Sequence, residues 1–269
     1  FNKYGDLGPL QGAKFELFAE DEEGKFTKSM GTATSEGDDG IVLFENIEAG
    51  SYQIREIEAP KGYKISTDLI DVTVGTDETQ TEVVVTLTID GEPMDNGFKN
   101  ELVELSAPIV LYKKGVDKKN NEKFDLAGAE FTLYEYIDGG AGDQVGQPAI
   151  SGADGKVSFA NVPLGTYVVK ETGVPNGYAK SEPEQEVFVN IFRNPEELDK
   201  AVVEYRFDNI EGFGSEQLTV ENEKLFADIT FTKVDESGEK GLAGAEFKLT
   251  KKDPSDWGSK IAVSDEYGK

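Results

Sequence analysis

Neither cysteine nor histidine occurs anywhere in the chain. Their absence removes thiol nucleophiles, Ser-His-Asp triads, disulfide staples and zinc sites built on sulfur or imidazole. Basic residues are scarce as well: 27 lysines and arginines face 53 aspartates and glutamates, a formal net charge of −26. A balance of that sign argues against nucleic acid and anionic membrane surfaces as partners. The acids are scattered through turns such as Ala19-Glu20-Asp21-Glu22-Glu23-Gly24, which suits solubility better than a specific cationic partner. No apolar run approaches the roughly 18 residues of a membrane span, and no signal-peptide core is present. The sequence therefore reads as an interior piece of a longer chain, with any export signal or wall anchor outside it. Phosphate loops that open a helix, and carboxylate pairs marked out at a cleft, are missing too, so an enzyme is the weakest reading and no cofactor is expected.

What the chain does contain is a repeat, the first thing to look for because it decides the fold. Leu10-Gln11-Gly12-Ala13-Lys14-Phe15-Glu16-Leu17 recurs as Leu126-Ala127-Gly128-Ala129-Glu130-Phe131-Thr132-Leu133 and again as Leu242-Ala243-Gly244-Ala245-Glu246-Phe247-Lys248-Leu249. Gly40-Ile41-Val42-Leu43-Phe44-Glu45-Asn46-Ile47 answers to Gly155-Lys156-Val157-Ser158-Phe159-Ala160-Asn161-Val162. A third block, from Tyr52 through Glu56 and Pro60 to Tyr63, is matched from Tyr167 through Glu171 and Pro175 to Tyr178. The third copy is expected to stop at Tyr267-Gly268-Lys269, before either of these later blocks. The expected domains are 1–104 and 105–225, both complete, and the opening part of a third at 226–269.

Short stretches alternate apolar and polar residues at period two, with Gly, Asp, Asn and Pro between them, and no long segment has helical periodicity. Phe15 and Leu17, Val42 and Phe44, Tyr52 and Ile54, Val72 and Val74, and Val83, Val85 and Leu87 each mark one face of a half-buried strand. About seven strands in some hundred residues predict an all-β protein of tandem Ig-like or prealbumin-like sandwiches. One helical turn is expected at Pro195-Glu196-Glu197-Leu198-Asp199-Lys200, capped by Asn194.

Each repeat opens with a strand carrying a lysine: Lys3, Lys113 and Lys233. Each complete repeat closes with a short strand ending in asparagine, Asn100 or Asn222, and Glu56 or Glu171 lies between. Strand lysines in acidic proteins are usually solvated, and one such set would carry little weight; two in register carry more. Lys114 competes with Lys113, but Lys113 shares a face with Leu111 and so points inward if Leu111 does. Asn209 competes with Asn222, which is preferred because it precedes the next repeat's lysine at a spacing close to that of Asn100. Lys3 lies at the very start, where its strand has the least cover. Lys233 has neither Glu nor Asn partner in the chain.

With these residues in place the sequence resembles the collagen-adhesin B-type (Cna B-type) domains of Gram-positive pilins and adhesins, including the Tyr-x-x-x-Glu-x-x-x-Pro-x-Gly-Tyr signature known as the E-box. The resemblance spans nearly the whole chain. It implies that a lysine of the first strand bonds to an asparagine of the last with a glutamate assisting, which maps onto Lys3, Glu56 and Asn100 and onto Lys113, Glu171 and Asn222. Burial lowers a lysine's pKa and makes it a nucleophile, a buried Glu can shuttle protons while ammonia leaves, and folding supplies the effective molarity. The implied role is a stalk or shaft module on the extracellular surface of the cell wall, with other pilin or surface-protein domains as partners and sortase attachment through segments outside the chain. The alternative is an adhesin that binds a host extracellular-matrix or mucosal ligand directly. A long insert would favour that alternative, and Tyr136-Ile137-Asp138-Gly139-Gly140-Ala141-Gly142-Asp143 is the one candidate, though a hairpin loop is the plainer reading. The Tyr-Pro-Lys-Asn sortase motif of shaft pilins is not found.

Other signals are weak. Asp38-Asp39-Gly40, Ala153-Asp154-Gly155 and Asp235-Glu236-Ser237-Gly238 resemble fragments of calcium loops, but turn chemistry explains them better. Tyr63 and Tyr178 are expected to pack over the turn after the glutamate strand. Trp257 is assigned no function.

Overall fold

Period-two alternation carries through into the structure. The computed structural model describes residues 1–95, 97–180, 184–250 and 259–269, so Trp257 lies outside the described residues. Every regular element among them is a β-strand. Buried side chains gather into two cores, one around Phe15, Leu17, Ile54, Ile70 and Phe98, the other around Leu111, Phe131, Leu133, Val169 and Val220. Both belong to one compact unit, Phe1–Glu223; Lys224–Lys269 forms a second.

The first core lies between two sheets. A six-stranded antiparallel sheet runs in the order Phe26–Thr34, Lys14–Glu20, Gly50–Glu58, Leu69–Thr76, Val83–Ile89, Glu92–Pro93. Opposite it, Lys3–Gly5 pairs antiparallel with Gly8–Pro9 and parallel with Phe98–Asn100. The second core repeats the plan. Gly140–Gln144, Glu130–Ile137, Gly165–Gly173, Val187–Arg193 and Ala201–Phe207 form one sheet, with Ala149–Ile150 paired to Glu130–Ile137. In the other sheet Ser106–Asp117 pairs with Glu122–Asp125 and Lys156–Pro163, and parallel with Thr219–Lys224. In both sandwiches the chain's opening and closing strands are therefore neighbours, although about a hundred residues separate them. A tyrosine fixes the corner before each glutamate strand: the Tyr52 hydroxyl donates to the Glu48 carbonyl at 2.9 Å and the Tyr167 hydroxyl to the Pro163 carbonyl at 3.0 Å.

Two expectations about single elements need correction. Residues 195–200 form no helix: the Asn194 amide donates to the Lys200 carbonyl at 2.9 Å, closing a loop between two antiparallel strands, while the Asn194 side chain accepts only the Glu196 amide. The glycine-rich stretch after Tyr136 is, as its plainer reading had it, a tight hairpin, with Asp138 and Gly139 at positive φ between paired strands, the conformation such two-residue turns require. Val83 and Val85 alternate as expected, yet their supposed core face is open, with 73% and 57% of each residue exposed.

The second unit keeps the start of the same design. Glu246–Thr250 pairs with Ser259–Val263. The Lys233 amide donates to the Gly268 carbonyl at 2.6 Å, as Lys3 does to Gly40 and Lys113 to Gly155 at 2.7 Å. Gly268 thus holds the place of Gly40 and Gly155, and the third copy reaches the first residues of the second block instead of stopping short of it. All three glycines have positive φ, and a Cβ on any of them would lie 2.2 to 2.4 Å from the carbonyl oxygen of the lysine whose amide it accepts, so only glycine lets the two backbones meet.

Candidate functional site

Parallel pairing decides what meets in each core. Lys3 is in register with Phe98 and Gly5 with Asn100; Lys113 is in register with Val220 and Gly115 with Asn222. Residues two apart on a strand share a face, so lysine and asparagine point into the same core on a diagonal that a long side chain spans. Lys3 and Lys113 are both fully buried, as is Asn222, and Asn100 is 1% exposed.

In the first core the Lys3 Nζ donates to Asn100 Oδ1 at 2.5 Å and to the Phe98 carbonyl at 3.2 Å. Asn100 Nδ2 donates to Glu56 Oε1 at 2.8 Å, and Lys3 Nζ stands 3.7 Å from the same oxygen. The other Glu56 oxygen accepts the Ser66 amide at 2.7 Å, which fixes the carboxylate. The second core repeats this: Lys113 Nζ lies 2.7 Å from Asn222 Oδ1 and 3.3 Å from Glu171 Oε2, and Asn222 Nδ2 donates to Glu171 Oε1 at 2.7 Å. Phenylalanine walls both sites, with Lys3 Nζ 4.7 Å from the Phe98 ring centre and Lys113 Nζ 5.8 Å from that of Phe131.

Burial dominates the electrostatics. Loss of water pushes the ammonium of Lys3, and equally that of Lys113, down to about 8, against the opposite pull of Glu56 or Glu171. At neutral pH such a lysine is neutral in about a tenth of molecules, against about one in three thousand for an ordinary lysine. The arrangement puts a nucleophilic amine, an amide and a carboxyl group within hydrogen-bond reach, the geometry that intramolecular acyl transfer to an amine needs.

The competing residues are kept apart. Lys114 points outward and pairs with Asp125 at 2.7 Å. Asn209 is exposed in the turn after Ala201–Phe207. Lys3, despite its place at the start, is covered by Phe1, whose ring packs edge-on against Phe15 and Phe98. Lys233 is exposed. Tyr63 is buried and Tyr178 packs on Phe124. The acidic turns make local bonds, such as Asp154 to the Lys156 amide and Asp235 to the Ser237 hydroxyl. No group of three or more acidic side chains among the described residues is placed to hold a metal.

Two supports escaped the sequence reading. A Cβ on Gly5 would lie 2.3 Å from the Tyr63 ring, and one on Gly115 2.5 Å from that of Phe124; the glycine opposite each asparagine lets an aromatic ring seal the site. The signal was the recurring Lys-x-Gly, which the third copy breaks with Asp235. Buried serines are the other: Ser35, Ser151 and Ser264 each accept the amide of the alanine in the Leu-x-Gly-Ala block at 2.9 to 3.0 Å.

A match to a family model agrees with this architecture. Residues 1–88, 112–200 and 227–269 match the SpaA prealbumin-like fold domain. The serine-aspartate repeat-containing protein D of Staphylococcus aureus (strain Newman) is 26% identical over 256 residues, which is 93% of this chain but 18% of that protein. Among solved structures, the Bacillus anthracis TIE protein aligns with 99% of this chain and 41% of its own, at 23% identity and a TM-score of 0.38. The minor pilin GBS52 of Streptococcus agalactiae aligns with 84% of this chain and 88% of its own, at 17% identity and a TM-score of 0.28.

Proposed function

The chain belongs to the SpaA family of prealbumin-like fold domains, and from that premise we propose that it is a structural stalk or shaft module of a Gram-positive surface pilin or adhesin. Its complete domains, 1–104 and 105–225, staple themselves through Lys3–Asn100 and Lys113–Asn222 isopeptide bonds, and 226–269 opens a third. The observation that carries the reading is the pair of dry Lys, Glu and Asn clusters, each with amine, amide and carboxyl in contact.

The step is a transamidation. The neutral lysine amine attacks the asparagine side-chain carbonyl carbon; the Nζ–Cγ bond forms and the Cγ–Nδ2 bond breaks. Glu56 or Glu171, touching the departing nitrogen, passes it one proton from the amine, and ammonia leaves. The product is neutral, so the core no longer holds an ammonium that was costly to bury. Opening and closing strands become one covalent path, and a pull on the chain ends meets that link before it meets the hydrogen bonds of the sheets.

Other pilin or surface-protein domains are the natural neighbours, the location is the outside of the cell wall, and attachment by sortase uses segments beyond these residues. The tight hairpin after Tyr136 removes the one long insert that favoured direct binding of a host ligand. Intact-mass measurement tests the proposal: the wild-type protein should be lighter than its sequence by two molecules of ammonia, and Lys113→Ala or Glu171→Gln by one. A wild-type mass equal to that of the sequence would rule the bonds out.

A further inference from the structure

The two lysine clusters are sealed from different places. In the second repeat Gly115, in register with Asn222, pairs on its other side with Phe124 of the same hairpin. A Cβ on Gly115 would lie 2.5 Å from that ring and 3.2 Å from the ring of Tyr178. The first repeat has a shorter hairpin, in which Gly5, in register with Asn100, pairs with Gly8. Glycine has no side chain to offer there. The ring comes instead from Tyr63 of the E-box turn, 2.3 Å from where a Gly5 Cβ would lie, with Leu10 beside it at 2.9 Å.

That turn is held from outside its own sheets. Tyr63 bridges to Leu102, the Lys64 amide donates to the Glu101 carbonyl at 2.8 Å, and the Val103 amide donates to the Gly62 carbonyl at 2.9 Å. The turn is thus laced to the segment that runs from Asn100 into the second repeat. Arg193 of the second repeat donates to the Val103 carbonyl at 2.5 Å and to the Leu198 carbonyl. Leu198 lies against Gly62, where a Cβ would be 2.5 Å from it.

We propose that Arg193 and Leu198 are positioning residues for the first cross-link: by clamping the E-box turn they keep the Tyr63 ring over Lys3 and Asn100, so that the Lys3–Asn100 bond forms fast only once the second sandwich has folded against the first. The Lys113–Asn222 bond, sealed by Phe124 of its own hairpin, needs no such help from a neighbour. The physical reason is that a ring free to swing away admits water, which favours the unreactive ammonium and loosens the alignment of amine and amide. This inference rests on the cross-linking proposed above and adds an order to it, second bond before first.

The test follows each bond separately in the full chain. Protein made in a short cell-free pulse is quenched in denaturant at intervals and digested, and the branched peptides joining Lys3 to Asn100 and Lys113 to Asn222, each lighter by one ammonia, are quantified by mass spectrometry. Arg193→Ala and Gly62→Ala should slow the first bond about tenfold, within the roughly hundredfold that a misplacement of about 1 Å can cost. The second bond should keep its wild-type rate, and the yield of both at long times should match wild type. Gly177→Ala is the control for backbone strain, since Gly177 shares the φ of +88° found at Gly62 but a Cβ there meets nothing within 4 Å; it should slow neither bond. Tyr63→Leu should slow the first bond as the joint variants do, whereas Tyr63→Phe, which keeps the ring, should match wild type. A wild-type rate for the first bond in both Arg193→Ala and Gly62→Ala, or equal slowing of both bonds, would overturn the inference while leaving the cross-links themselves in place. Absence of both branched peptides from the wild type would instead overturn the cross-linking, and this inference with it.

Discussion

A lysine sealed from water lies at the centre of each core, and its protonation gives a handle on whether it has reacted. If the second-repeat bond is blocked by Asn222→Ala, Lys113 stays a free amine whose folded pKa is pushed down to about 8 from 10.5. Between those values the unfolded chain holds more protons than the folded one, so stability rises with pH across the window and is flat in this term below it. With the proposed cross-link in place, the wild type would carry an amide there and lack the slope. Urea midpoints from pH 7 to 10.5 should therefore climb for Asn222→Ala relative to wild type; parallel curves would mean that Lys113 is not dry. Glycine matters at the same scale. Alanine at position 115 would put its Cβ 2.5 Å from the Phe124 ring, and forced repacking of that kind costs about 1–3 kcal/mol. Gly115→Ala should lower the melting temperature and slow ammonia loss in freshly refolded protein, whereas Gly139→Ala, where a Cβ meets nothing within 4 Å, should pay only for its positive φ and leave the rate of bond formation unchanged.

At the scale of strands, the parallel pairing of opening and closing strands would give each proposed link its value. Lys113 and Asn222 are 109 residues apart, and covalent closure of a loop of about that length removes unfolded-state entropy worth about 4–5 kcal/mol. Asn222→Ala should lose an amount of that order in denaturant unfolding. In single-molecule pulling the variant should also release the contour length that wild type keeps locked between those residues; equal extensions for both proteins would show that no link carries the load. Much of this was legible in the sequence, since Leu111 and Lys113 share a face at period two and the repeated blocks placed Glu171 between the end strands. Alternation also separated Lys113 from Lys114, one facing the core and the other Asp125. What stayed illegible depended on partners distant in the chain. The Lys-x-Gly glycines have meaning only against the rings of Tyr63 and Phe124, and the exposure of Val83 and Val85 is beyond alternation, which marks a face but not what covers it. The helix expected at 195–200 failed for a related reason: a local cap at Asn194 competed with a bond to Lys200 that closes the loop between neighbouring strands.

Across Phe1–Glu223 as a whole, the same loop ties the two cores together. Arg193 donates to the Val103 carbonyl at 2.5 Å, in the segment that joins the cores, and its other terminal nitrogen donates to the Leu198 carbonyl. Lys61 pairs with Asp199 at 3.2 Å. Leu198 approaches Gly62 so closely that a Cβ there would lie 2.5 Å from it, while at Gly177, the matching turn of the second repeat, no atom lies within 4 Å. The E-box turn of the first sandwich thus serves as a seat for a loop of the second, and Arg193 is the pin, since its guanidinium satisfies carbonyls on both sides. An exposed ion pair such as Lys61–Asp199 adds little by itself, so removing the arginine should matter more than removing the lysine. Arg193→Ala is expected to leave the melting of each sandwich nearly unchanged but to free their relative motion. In small-angle scattering that would appear as a broader distance distribution and a larger spread of radii than for wild type or Lys61→Ala. Superimposable profiles for all three proteins would mean that the joint is held by the packing of Leu198 on Gly62 and not by the arginine.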